Sequence, residues 1–190
     1  MTVQPEAEVT KSFVKRQAEF TEAYLSQHDD LRQKFKRELT LNYDYPRFSA
    51  PAIKGDGRAY FSWNTGLQAQ SALYRVKASD LDTASTEQAE LWFDPNLLST
   101  DGTAALSSTA FSKSGKYYAY GVSQRGSDWY TIYVRETSSP HDPAQAKGED
   151  KGRLPDVVKH VKFSGITWMR ELGKDLGSLY SQRLLHLRSG

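Results

Sequence analysis

The side chains able to do covalent or metal chemistry are few and badly placed for it. The four histidines, His28, His141, His160 and His186, show no i, i+4 pairing and no carboxylate at metal-ligand spacing, so they read as surface or loop residues. There is no cysteine, which excludes a disulfide framework, a thiolate metal site and a thiol nucleophile. A nucleophilic serine on a strained elbow needs glycines two residues before and after it. Ser114 and Ser164 each precede a glycine, but Ser112 and Lys162 stand two positions upstream, so both read as turn formers. Gly55-Asp56-Gly57 is followed by a strand pattern rather than a helix and is a turn, not a phosphate-binding loop. Asp80, Asp82, Glu87 and Glu90 lie in a polar connection where solvation is the ordinary explanation. The expectation is a chain with no catalytic residue, no metal and no cofactor of its own.

Aromatic residues are the other candidates. Trp63, Trp92, Trp129 and Trp168, with the tyrosines around them, could build a stacking surface for a ligand. Alternation along strands explains them more economically as packing between layers of sheet. The clearest layer lies in residues 110–135. Phe111-Ser112-Lys113-Ser114-Gly115-Lys116 supplies a tight turn, with a positive φ expected at Gly115. Two aromatic and β-branched strands follow, residues 117–122 and 129–134, separated by a polar turn that contains Gly126.

A similar grammar precedes and follows this hairpin. Phe48-Ser49 leads to the Gly55-Asp56-Gly57 turn, an aromatic run at 59–63, the turn Asn64-Thr65-Gly66 and a strand at 72–76; Phe163-Ser164 leads to Ile166-Thr167-Trp168. The three Phe-Ser pairs recur at roughly fifty to sixty residues, a period of propeller blades or solenoids. Short strands are expected at 90–93, 104–110 and 157–163. Residues 137–153 form the least structured loop, rich in Pro, Ala, Gly and acids. Beyond Met169 the pattern weakens, with one short strand around Leu179-Tyr180.

Ahead of the strands, Val9, Phe13, Phe20 and Tyr24 fall on one side of a helix that Thr10 or Ser12 would cap. Gln27-His28-Asp29-Asp30 breaks it, after which Leu31, Phe35 and Leu39 recur at i, i+4, i+8. The helices end by Tyr43-Asp44-Tyr45-Pro46, since the residue before proline is driven to extended geometry. The division expected is a helical segment at 1–42 and an incomplete β-propeller at 43–190: a mainly β chain of about two blades and the start of a third, preceded by two amphipathic helices. The net charge of +2 over 190 residues, with acids and bases interspersed, gives no reason to expect nucleic acid or a membrane surface as partner. No apolar run approaches the roughly 20 residues of a membrane span, and the first ten residues lack a signal peptide's pattern, so the cytoplasm is the expected compartment.

Several uncommon words occur in one order: Tyr43-Asp44-Tyr45-Pro46; Asn64-Thr65-Gly66-Leu67-Gln68 with Gln70; Phe93-Asp94-Pro95-Asn96 with Leu98-Ser99 and Asp101-Gly102-Thr103; Gly126-Ser127-Asp128-Trp129; and Leu154-Pro155-Asp156-Val157 leading to Lys162-Phe163-Ser164. In this respect residues 10–168 resemble the N-terminal part of the prolyl oligopeptidase family of serine endopeptidases. The resemblance implies a seven-bladed propeller that filters small proline-containing peptides above an α/β-hydrolase domain of the same chain carrying a Ser, Asp, His triad. It also implies that the N-terminal helices belong to that hydrolase domain. No counterpart of the family's opening segment precedes Thr10, and the pattern shifts after Trp168, so no substrate-contacting residue is carried over. The triad lies beyond Gly190 in the family. A fragment inactive alone is therefore expected, and a stand-alone β-rich interaction or peptide-binding module is the reading from another class.

Overall fold

The computed structural model describes residues 7–82, 88–171 and 174–181. The chain divides into two compact units, one ending at Tyr45 and one beginning at Pro46.

The first unit is a pair of helices, α1 (Glu8–Leu25) and α2 (Asp29–Tyr43), joined by a single 3-10 turn at Ser26–His28. Acids in the first turns, Glu8 in α1 and Asp29 and Asp30 in α2, suit the positive ends of the helix dipoles. Helix α1 begins upstream of the expected caps: its N-cap is Ala7, which offers no side-chain acceptor, so Thr10 already lies in the first turn. Arg32 bridges the turn by pairing with Glu22 at 2.9 Å. Neither helix contains a buried residue. Asp44, at φ −83° and ψ 69°, ends the helical geometry just before Tyr45-Pro46.

The second unit is antiparallel β throughout. The first sheet holds β1 (Arg47–Phe48), β2 (Ala52–Ile53), β3 (Arg58–Asn64), β4 (Ala72–Lys77) and β5 (Glu90–Phe93); β1 and β2 both pair with β3, and β4 and β5 follow outward. The second is a four-strand meander of β6 (Ala104–Phe111), β7 (Tyr117–Gln124), β8 (Trp129–Glu136) and β9 (Arg153–Lys162). The third is the hairpin of β10 (Ile166–Glu171) and β11 (Lys174–Ser181). These are two blades and the start of a third. The hairpin continues further than the sequence suggests, since Thr167 pairs with Tyr180 and Trp168 with Leu179 and the strands run on to Glu171 and Lys174. His186 lies outside the described residues.

Period-two alternation along β7 builds both interfaces of the middle blade. Tyr118, Tyr120 and Val122 face the first blade and join Tyr60, Trp92 and Phe93 in one core. Ala119 faces the other way, into a second core of Tyr130, Ile132, Val134, Val161 and Trp168. Trp168 reaches back from β10 to donate its indole N–H to the Ala110 carbonyl at 3.0 Å. Gly121 is needed beside it: a Cβ there would stand 2.6 Å from the Tyr130 ring.

The Phe-Ser spacing is not the blade repeat. Phe48 lies in β1 at the start of its sheet, Phe111 at the end of β6, and Phe163 in the connection from β9 to β10. The equivalent features are the turns that enter β3 and β7, where Gly57 (φ 75°) and Gly115 (φ 75°) take the same left-handed conformation.

Candidate functional site

Ser114 sits in the β6–β7 turn, its hydroxyl 3.2 Å from that of Ser112, and the Ser164 carbonyl accepts the Tyr130 hydroxyl proton in the β9–β10 connection. Both serines therefore shape turns and connections. His28 lies edge-on to Tyr24, His141 is in the β8–β9 connection, and His160 is in β9. Among the described residues no three His, Asp or Glu side chains converge on a point that could hold a metal. A cleft of about 520 Å³ opens beside β3, β4 and β5. In it the Glu90 carboxylate takes Arg75 at 2.7 and 2.8 Å and Arg58 at 3.4 Å. The Arg75 hydrogen bond holds the Glu90 carboxyl below the usual carboxylate range.

The strongest electrostatic feature is buried between the first two blades. Arg135 of β8 pairs with Asp150 at 3.2 Å, both side chains almost wholly removed from water. The Tyr120 hydroxyl donates to the other Asp150 oxygen. The Arg135 guanidinium also lies over the rings of Trp92, at 4.8 Å, and Phe93, at 5.3 Å. Burial pulls Arg135 below its ordinary range, and the Asp150 charge opposes this. The same burial, with Asp150 beside it, drives the Tyr120 hydroxyl far above its ordinary range. Such an ensemble fixes structure.

A different arrangement occurs on the rim where β8 begins and β9 ends. Trp129 is 50% exposed and Phe163 is 73% exposed. The Lys162 ammonium lies between them, 5.4 Å from the Trp129 ring centre and 4.8 Å from that of Phe163, with Asp128 at 3.6 Å. The backbone beneath is unusual: His160 (φ 58°) and Phe163 (φ 48°) are both left-handed. That conformation is disfavoured for a bulky aromatic residue, and such strain collects where a side chain is held out for use. Strand alternation accounts for Trp92 and Trp168, both buried in blade interfaces, but not for Trp129. The register pairs Trp129 with Lys162 at the end of the sheet, beyond the cover of the neighbouring blade.

With this geometry in hand, comparison with known proteins is decisive. The family model for the N-terminal β-propeller domain of prolyl oligopeptidase matches residues 4–173. The chain belongs to the prolyl oligopeptidase family. It is 48% identical over 166 residues to prolyl oligopeptidase dbiP of Dendrothele bispora, an alignment covering 86% of this chain and 22% of that protein. It is 45% identical over 159 residues to the dual function macrocyclase-peptidase POPB of Amanita bisporigera, covering 82% and 22%. Among solved structures, prolyl oligopeptidase B of Galerina marginata bound to a 35mer hydrolysis and macrocyclization substrate superposes with a TM-score of 0.73 at 40% identity, covering 86% of this chain and 23% of that one. This prolyl oligopeptidase segment thus spans less than a quarter of the length of the relatives it matches. Among the described residues the β unit contributes packed blades and an aromatic rim. The sequence offers Trp129 as one member of a possible stacking surface but favours packing for all four tryptophans, because residue type does not distinguish an exposed Trp at a strand end from a buried one.

Proposed function

We propose that this chain is the N-terminal helical and propeller segment of a serine-type endopeptidase that cleaves small peptides after proline. The observation that carries the reading is the family match across residues 4–173 together with close identity to prolyl oligopeptidases of which the chain covers 22%. The helices at 1–42 belong with an α/β-hydrolase part of the same protein, which supplies the triad; their unburied apolar stripes support this. The blades gate access for small proline-containing peptides, and the Trp129–Lys162–Phe163 rim is the part of this segment that meets peptide or hydrolase. The segment alone is inactive and works in the cytoplasm.

The test is the coding sequence downstream of the Gly190 codon, with an assay of the product. Further blades and a G-x-S-x-G hydrolase segment, in a protein that turns over a proline-containing reporter while residues 1–190 alone do not, are expected. A supported stop after Gly190, or turnover by residues 1–190 that survives repurification, overturns the reading.

A further inference from the structure

Residues 137–152 connect β8 to β9 within the second blade, yet several of their fixed contacts are made to the first. The Arg75 guanidinium of β4 donates to the Thr137 carbonyl. The Trp92 indole of β5 donates to the Ser139 carbonyl at 2.9 Å. Further along, the Gly148 N–H donates to the Leu97 carbonyl, beyond the far end of β5, at 2.8 Å. The connection is therefore tied to side chains of β4 and β5 and to the turn that follows β5, the outermost strand of the first sheet.

Its return is anchored in the second blade. Asp150 receives Arg135, Tyr120 and, at 3.0 Å, the Gly152 N–H, while Arg135 also donates to the carbonyls of Ser139 at 3.1 Å and Pro140 at 3.2 Å. One buried guanidinium thus holds both ends of the connection. The fit is close: a Cβ at Gly152 would stand 2.7 Å from the Arg135 Nη2. A solvated surface loop needs neither a buried ion pair nor hydrogen bonds to a different sheet.

We propose that residues 137–152 are an inter-blade strap: Arg135 and Asp150 clamp its two ends to the second blade, and the strap binds β5 of the first blade, so that the two blades open and move as one unit. This goes beyond the peptidase reading and does not depend on it. Hydrogen exchange on the intact protein tests it, comparing the natural sequence with Asp150→Asn and Gly148→Pro. The first removes the charge that balances Arg135. The second, at an exposed position with φ 92°, removes the donor to Leu97 and replaces a left-handed φ that proline cannot take. Both should accelerate exchange of residues 138–149, and also of β5, by about tenfold or more, and in Gly148→Pro, which leaves the Arg135–Asp150 pair intact, β7 should be unchanged. Where Asp150→Asn does not fold, Gly148→Pro decides alone. Acceleration of the strap without β5, or free-peptide exchange rates at 138–149 in the natural protein, would overturn the proposal.

Discussion

Gly55 and Gly115 meet backbone to backbone where the entry turns of the first two blades touch. A Cβ on Gly115 would lie 2.2 Å from the Asp56 nitrogen, and one on Gly55 would lie 2.5 Å from the Ser114 carbonyl carbon. Neither neighbour is a side chain that can swing aside. Gly115 also needs its positive φ, whereas Gly126 (φ 70°) shares the conformation but has nothing within 4 Å of its Cβ position. Gly126→Ala should therefore cost about 1 kcal/mol from the backbone alone. Gly115→Ala adds overpacking against main chain and should cost roughly 2–4 kcal/mol. Urea melts of the two variants separate the effects, and equal losses would mean that the blade contact does not constrain the turn.

The turns illustrate how much was legible in the sequence. Ser-Gly and Gly-Asp-Gly mark left-handed corners by chemistry, and alternation of aromatic and small residues marks β3, β7 and β8, because both signals are local. The strap was not legible: Thr137, Asp150 and Gly152 have loop composition, and only the distant Arg75, Trp92 and Arg135 bury or anchor that stretch. The left-handed His160 was equally hidden, since it falls in the register shift between the Tyr130–Val161 and Ile132–Val158 pairs and does not follow from its own preference.

Two aspartates in the strap should differ sharply. Asp142 pairs with Lys151 at 2.6 Å on the surface, with the lysine side chain more than half exposed, and its replacement by Asn should leave the denaturant midpoint nearly unchanged. Asp150 balances a buried Arg135, and its replacement by Ala should cost about 3–5 kcal/mol by stranding that charge. Denaturant midpoints at two salt concentrations check this: only the Asp142 contribution should weaken with salt.

Alkaline pH should unfold the blades in a defined window. Burial raises Tyr118 to about 12, and burial together with a hydrogen bond to Asp56 raises Tyr60 to about 12. Tyr120 is raised further. Each tyrosine is held neutral in the folded state, so its contribution is complete below the ordinary value near 10 and is lost as pH rises from there through the folded values. Tyrosinate absorbance should show a late group of tyrosines ionising together with unfolding; full ionisation of every tyrosine near pH 10 without loss of structure contradicts these burials.

The aromatic rim separates recognition from stability. Trp129 and Phe163 are exposed, so Trp129→Ala and Phe163→Ala should each leave stability within about 0.5 kcal/mol. In the full-length peptidase proposed above, either change should raise KM for a proline-containing peptide several-fold with kcat less affected, the pattern of lost ground-state binding. Unchanged kinetics in both variants, with folding intact, would remove the rim from the peptide path.

Two apolar surfaces are covered by no described residue. Phe13, Phe20, Phe35 and Leu39 are all more than half exposed on the helices, and Phe20 reaches 76%. On the first blade, Phe48 stacks on Trp63 at 5.4 Å and Tyr74 lies 5.0 Å from Trp63, on the side away from the second blade. The Trp63 indole N–H is buried there without a hydrogen-bond acceptor among the described residues, as expected of a face built to meet more protein. Apolar area of this kind in two places drives association in water. Produced alone, residues 1–190 should self-associate in light scattering after size exclusion. Phe20→Glu with Phe35→Glu should reduce this without shifting the urea midpoint of the β unit, because neither side chain is buried. A clean monomer with one sharp transition would mean that these faces close on each other, and a stand-alone interaction module would then be the better reading of the chain.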